Sequence, residues 1–247
     1  MDDYDLPSAQ LLQQQAQWMA PARARVFRRV GIARRRKVLD LACGFGAVTE
    51  ELARRCGGQV VALDLRKKVL ATDAESFAGA DRICGDALRL PFADGVFDLV
   101  FCQFTFLWID AKAAIKEIRR VMQPQGALVA IEPDYGGMIE YPPEISTREL
   151  WIAALDRAGA DPFIGRKLPG LLQCPGWSVE VNLLERLMPP SPGRFALLRE
   201  LPLTEEEKTA FPKIEAADAA LSEATRVVHL PIFIITVEKA SGTNSEA

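Results

Sequence analysis

Lys37-Val38-Leu39-Asp40-Leu41-Ala42-Cys43-Gly44-Phe45-Gly46 is the stretch on which the reading of this chain turns. A short run rich in leucine and valine delivers an aspartate, then breaks into a tight loop with two glycines one residue apart. Apolar groups at helical spacing follow within Ala47 to Arg55 (Val48, Leu52, Ala53). A strand, a glycine loop and a helix start together let backbone amides approach a nucleotide-like ligand with no Cβ in the way. A dinucleotide fingerprint, G-x-G-x-x-G, would need a third glycine where Thr49 stands, because helix and strand must close tightly under a pyrophosphate. A phosphate-cradling P-loop would need a Gly-Lys-Ser/Thr ending, which is absent here. What remains is D-x-x-x-G-x-G.

Working outward, apolar strand candidates alternate with helices. The strands are Val38 to Leu41, Val60 to Leu63, Arg82 to Cys84, Phe97 to Phe101 and Ala127 to Ile131; the helices are Val48 to Arg55, Lys67 to Phe77 and Ala111 to Met122. Pro124 and Gly126 stop the last helix. Pro7 to Val30 reads as one or two helices ahead of the first strand. This rhythm predicts right-handed βαβ units and a parallel sheet covered on both faces. After Glu132 come helical stretches at Thr147 to Ala158 and Arg166 to Leu172, then a strand at Val179 to Leu184. A bend at Pro189, Pro190 and Pro192 opens a polar, largely helical insertion, and the final strand reads as Val227 to Val237.

Bulk properties bound the function. A chain of 247 residues with 49% apolar content can bury one sizeable α/β core. Its net charge of −3 offers no global field for nucleic acid or an anionic membrane. The amino terminus, Met1-Asp2-Asp3-Tyr4-Asp5, lacks the basic and apolar regions of a signal peptide, and the apolar run Leu230 to Val237 is only strand-sized. Five cysteines with no C-x-x-C pair argue against a disulfide framework and a zinc site. A soluble, cytoplasmic protein is expected, without metal, nucleic-acid or membrane partner.

Ligands of open parallel sheets bind beyond the carboxyl ends of the strands. Those ends read Asp40 and the glycine loop, Asp64, Gly85-Asp86-Ala87, Cys102-Gln103, and Glu132-Pro133-Asp134-Tyr135. An acidic side chain where Asp64 stands can accept hydrogen bonds from both hydroxyls of a ribose.

This ordered set resembles the class I S-adenosylmethionine (SAM) dependent methyltransferases over roughly residues 34–135, with a similar layout to the end of the chain. SAM has no phosphate, so nothing demands the third glycine. The resemblance implies an α/β fold with a seven-stranded, mostly parallel Rossmann-like sheet, helices on both faces, a last strand inserted antiparallel, and a helical cap. It implies one domain over 1–247: a helical segment 1–36, a SAM-binding core 37–135, and a substrate-side half 136–247 with a cap insertion at about 187–226. It also implies that Gly44 and Gly46, with Ala42 and Cys43, pass under the methionine part of SAM. Asp64 would hold the ribose beside Leu65, Asp86 would face the adenine amino group, and Ala87 would give the ring a backbone amide. Gln103 would lie near the methionine end, and Asp40 would orient the loop. Ala42 departs from the pattern, since many relatives carry glycine there; a small side chain is expected to do no harm.

The acceptor is less legible. Methyltransferases acting on adenine or glutamine amino groups carry an Asn/Asp-Pro-Pro-Tyr loop after the fourth strand, where this chain has Cys102-Gln103-Phe104-Thr105. The end-of-chain layout looks like the small-molecule subset that includes quinone C-methylases. The expected reaction is methyl transfer from SAM, giving S-adenosylhomocysteine (SAH), to a small acceptor at O, N or C. Trp108, Asp134, Tyr135 and the single histidine, His229, are the substrate-lining candidates, none assigned as base. The cluster Arg23, Arg25, Arg28, Arg29, Arg34, Arg35, Arg36 and Lys37 reads as a solvated helix face and its exit. Two other readings stand beside this one: a SAM-binding protein without turnover, and an RNA or protein methyltransferase using that cluster.

Overall fold

Seven strands lie in the order β3-β2-β1-β4-β5-β9-β7, in a computed structural model that describes residues 7–72, 75–184 and 194–239. These are β1 (Lys37–Leu41), β2 (Gln59–Asp64), β3 (Ala80–Cys84), β4 (Phe97–Gln103), β5 (Met122–Pro133), β7 (Trp177–Leu183) and β9 (Ile232–Lys239). A separate ribbon pairs β6 (Ile139–Tyr141) with β8 (Val227–His229). The helices are α1 (Ala9–Arg29), α2 (Thr49–Arg55), α3 (Lys67–Leu70), α4 (Ala111–Val121), α5 (Arg148–Arg157), α6 (Ile164–Leu171), α7 (Arg194–Arg199) and α8 (Glu205–Ala219). The first five strands of the sheet pair parallel. Only β9 runs against its neighbours, antiparallel to both β5 and β7, so the expected reversed strand is present.

Strand alternation divides the core. Leu39, Leu41, Val100, Cys102, Leu128 and Ala130 pack on one face with Ile115, Ile118, Trp151 and Leu168. Val38, Leu99, Phe101, Val129 and Ile131 pack on the other with Met19, Val26 and Phe27 of α1, where Phe27 meets Phe101 edge-on at 5.2 Å. Each buried leucine, isoleucine, valine, methionine or phenylalanine among them contributes about 1.5–3 kcal/mol by leaving water. Helix α4 starts at Asp110, whose carboxylate accepts from the Lys112 and Ala113 amides, and buries Ala114, Ile115, Ile118 and Val121 on one stripe.

Three elements differ from the sequence expectation. The run Val227 to Val237 is two strands, because Pro231 has no N–H to give a ladder. Its carbonyl instead accepts the Asp134 amide at 2.9 Å. The helix expected over Lys67 to Phe77 is cut short: the Thr72 hydroxyl donates back to the Val69 carbonyl, and Glu75–Phe77 forms a separate 3-10 turn. Strand β5 begins earlier than Ala127, pairing Met122 with Phe97 across a register shift that takes up Gln125 at φ 63.

The entry to the cap insertion, with Pro189, Pro190 and Pro192, lies outside the described residues. The part from 194 onward is docked: Leu198, Leu201 and Phe211 are buried in the main core. Helix α8 is started by reciprocal bonds between Thr204 and Glu207. Among the described residues no helix is long and apolar enough to cross a membrane.

Candidate functional site at the strand ends

Past Leu41 the chain turns back on left-handed residues: Ala42 at φ 56, Gly44 at φ 54 and Gly46 at φ 77. Alanine holds that conformation at a cost of roughly 1 kcal/mol, so Ala42 is a strained position. Gly46 is needed twice over, because a Cβ there would lie 2.9 Å from the Ser76 carbonyl oxygen and 3.0 Å from the Phe77 ring.

The loop is anchored by Asp64. This residue is 4% exposed; its Oδ2 accepts the Gly44 amide at 2.9 Å and its Oδ1 accepts the Arg66 amide at 2.9 Å. Each carboxylate oxygen carries a further lone pair, so the group retains acceptor capacity. Asp40 is buried and accepts the Thr49 hydroxyl at 2.6 Å. Burial pushes its acid up to about 7, against the Thr49 hydrogen bond and the positive charge of Arg23. The position where a dinucleotide fold would place glycine thus holds a side chain tying α2 to the aspartate of β1.

Asp86 shapes the turn after β3, its Oδ1 accepting the Leu88 amide at 2.8 Å. Ala87 beside it is buried, and Leu65, after β2, is a large apolar side chain left 60% exposed. The Gln103 side chain, half-buried at the end of β4, accepts from the Arg23 guanidinium at 3.1 Å. Cys43 and Cys102 are free thiols, and burial pushes both further up, so they pack as neutral groups.

The acceptor-side candidates sit in different settings. Asp134 is 4% exposed and ion-paired to Arg166, whose Nε and Nη2 both reach Oδ2 at 2.7 Å. Tyr135 is buried and stacks on Trp151 with ring centres 4.8 Å apart. Trp108 is half-buried in the 3-10 turn Phe106–Trp108. His229 lies opposite Ile139 in the ribbon, and burial lowers its pKa. The Asp134 amide, bonded to the Pro231 carbonyl, links the β5 end to the ribbon two residues beyond His229.

Two features escaped the sequence reading. Glu132, at the end of β5, is fully buried; its Oε1 accepts the Thr105 and Phe106 amides at 2.9 Å each, and its Oε2 has no partner among the described residues. Burial pushes its acid up to about 8, so near neutrality it holds a proton. The only signal in the sequence was an acidic residue inside an apolar run. The second is a correction: the arginine cluster is not one solvated face. Arg23 is 2% exposed and paired to Glu51, and Arg35 donates to the Val30 and Asp98 carbonyls. Arg29 reaches Glu180 and Thr236, while Arg25 and Arg28 remain exposed. A cation embedded among helix neighbours at i−4, i−1, i+3 and i+4 that are apolar (Met19, Ala22, Val26, Phe27) is a legible sign of burial in hindsight.

Comparison with known proteins agrees with this geometry. Residues 39–130 match the profile of a family described as a methyltransferase domain. The demethylmenaquinone methyltransferase of Mycolicibacterium paratuberculosis is 40% identical over 131 residues, covering 52% of this chain and 54% of that protein. The chain spans about half the length of the curated relatives it matches. Among solved structures, the YcgJ protein of Bacillus subtilis superposes with a TM-score of 0.62 at 17% identity, over 90% of this chain and 100% of that one. The geranyl diphosphate C-methyltransferase of Streptomyces coelicolor, solved with Mg2+, geranyl diphosphate and SAH, gives 0.56 at 15% identity, over 89% of this chain and 77% of that one. At these identities the two structures speak to fold alone. Motif, strand order and family match meet in the same segment, residues 39–130, which is similar to a methyltransferase domain.

Proposed function

We propose that this protein is an enzyme that moves the methyl group of SAM to a small, partly apolar acceptor and releases SAH. The observation that carries the reading is the Asp64–Gly44 pair: the acid at the end of β2 holds the glycine loop in place while keeping lone pairs for a ribose. The residues present fit the cofactor. Gly44 and Gly46 leave the loop backbone bare, with Ala42 and Cys43 completing the turn. Asp86 uses only one of its oxygens in the turn beside Ala87, and Leu65 offers an exposed apolar side chain at the same rim. Gln103 closes the methionine end and Asp40 braces the loop through Thr49.

Bound SAM supplies a methyl group on a sulfonium already activated for in-line displacement. The chain's own work is then to align the acceptor and exclude water. Asp134 is engaged by Arg166, and Glu132, protonated near neutrality, is a poor proton acceptor there. His229 is held neutral by burial, the state a general base requires. The name of the curated relatives, demethylmenaquinone methyltransferase, supports an acceptor of the quinone type. The reading that uses the arginine cluster for RNA or protein loses ground, because Arg23, Arg29 and Arg35 are committed to internal partners. The helices 194–219 would form a cap on the substrate side.

Calorimetry against SAM, SAH and NAD tests the assignment: the first two should bind and NAD should not. Asp64→Ala should weaken SAM binding more than tenfold, since charged hydrogen bonds are worth roughly 1.5–3 kcal/mol each. NAD binding without SAM binding, or a folded Asp64→Ala variant with unchanged SAM affinity, would refute the site. Mass spectrometry of SAH formed with quinol-type acceptors separates turnover from binding alone.

A further inference from the structure

Arg23 is the most heavily committed side chain near the strand ends. Its Nε donates to Glu51 Oε2 at 2.8 Å and its Nη2 to the same oxygen at 2.5 Å. Its Nη1 donates to the Ala16 carbonyl at 2.9 Å and to Gln103 Oε1 at 3.1 Å. One guanidinium therefore joins three elements: its own helix α1, helix α2 behind the glycine loop, and the tip of β4. On its other side Glu51 Oε1 has the charge of Arg55 Nε at 2.9 Å, an ion pair without hydrogen-bond geometry. Pro21 gives no N–H to the helix ladder on this stretch of α1, and Arg23 reaches back across it to Ala16.

The consequence falls on Gln103. A carboxamide can offer either its oxygen or its NH2 to a neighbour, and nothing intrinsic fixes which. A guanidinium has donors only, so Arg23 selects the oxygen and turns the NH2 group away from itself. That NH2 group donates to no other group among the described residues. The pairing of β1 with β4 ends at Asp40 against Phe101, and just beyond it the Thr105 hydroxyl donates to the Leu41 carbonyl, so the tip of β4 that carries Gln103 lies beside the start of the glycine loop. Gln103 and Asp40 also share a face of the sheet, since Asp40 is the partner of Phe101 and Gln103 lies two positions beyond Phe101.

We propose that Arg23 is a positioning residue: it locks the Gln103 amide with its NH2 group toward the glycine loop, making that group a donor to a carboxylate at the methionine end of the cofactor. This rests on the SAM reading above. It gives helix α1, which the family match at 39–130 leaves out, a defined part in cofactor recognition. It also sets a preference: an acceptor-bearing, anionic tail is favoured over a ligand that ends at the sulfur.

The test compares SAH with 5′-methylthioadenosine, which keeps the nucleoside and sulfur but lacks the amino-acid tail. Binding of both is measured by calorimetry to the wild type and to R23M, R23K, Q103L and Q103E. The wild type should prefer SAH. R23M should lose about tenfold in SAH affinity and less than twofold in methylthioadenosine affinity, and R23K should recover little, because an ammonium cannot span Glu51, Ala16 and Gln103 together. Q103L, which leaves the Arg23–Glu51 pair intact, should show the same selective loss without a change in thermal midpoint. Q103E should lose more than Q103L, because it places a negative charge where the tail carboxylate lies. Equal loss of both ligands in R23M and Q103L, or no loss in Q103L, would overturn the proposal. Failure of the wild type to bind either ligand would instead overturn the SAM reading.

Discussion

Buried carboxylates are held in two ways in this molecule. At the strand ends three rest on neutral donors, Asp40 on the Thr49 hydroxyl, Asp64 on the Gly44 and Arg66 amides, Glu132 on the Thr105 and Phe106 amides, and only Asp134 has a cation, Arg166. Where helices α7 and α8 meet the ribbon strand β6 they rest on cations as well. Glu140 of β6 and Asp218 of α8 both lie 3.4 Å from the buried Arg194, and Asp218 also pairs with Arg226 at 2.6 Å. Burial raises Asp40 to about 7 and Glu132 to about 8, and their neutral hydrogen-bond donors offset only part of that rise. Ion pairs cancel charge, but each partner then depends on the other. Asp40 and Glu132 are therefore sensitive to pH, and the cluster around Arg194 to deletion of one member.

Arg194→Met is the severest way to break this contrast. It leaves Glu140 and Asp218 buried beside a vacated cation, and removing one partner of a buried pair costs about 3–5 kcal/mol. A fall in thermal midpoint of about 10 °C is expected. A loss below about 1 kcal/mol in urea titration would show that the junction behaves like a surface pair.

Glu132→Gln sharpens the other half. The acid is raised from an ordinary 4.5 to about 8, so between these values the folded state keeps a proton that the unfolded chain releases. Stability contributed by the protonated acid is fully present below about pH 4.5 and is lost as pH rises through about 8. Glutamine stays neutral throughout. The variant should match the wild type near pH 4.5 and exceed it by roughly 2–4 kcal/mol at pH 8.5. A constant difference across that range would mean Glu132 is ionised in the folded protein.

Thr49→Val tests the smallest of the three effects. Losing the 2.6 Å bond to Asp40 should cost about 2 kcal/mol at pH 8, where that acid is ionised, and about 1 kcal/mol at pH 5. Equal losses at the two pH values would remove Asp40 from the account.

The fold was legible where one local signal decided it. The glycine loop, the alternation of strands with helices, and the strand-end acids each specify geometry within a few residues, and all reappear in the structure. What stayed hidden depends on distant partners. Val227 to Val237 reads as one strand until Pro231 is seen to serve Asp134, almost a hundred positions earlier in the chain. Arg23 reads as one of eight surface cations until Glu51 and Gln103 close around it. Glu132 reads as a strand terminus, because no local pattern distinguishes an acid in solvent from one under the Thr105 turn. Asp40, Asp64 and Gln103 could be named because they stand at strand ends in a fixed order around the glycine loop, whereas Trp108, Asp134, Tyr135 and His229 were inferred from topology, which places a residue without saying what its side chain meets.

The tethers of helix α1 bear on how the chain is made. Arg23 waits 28 residues for Glu51 and 80 for Gln103, and Arg29 waits 207 for Thr236. Its apolar stripe, Met19, Val26 and Phe27, likewise shares a cluster with Ile232 and Ile234 of β9. At ribosomal speeds of about 5–20 residues per second, roughly 10–40 s separate the emergence of Arg29 from that of its last partner. Through that interval the helix carries an uncovered greasy flank and an arginine lacking its full shell. A nascent chain halted before β9 is thus the form of this protein most in need of a chaperone.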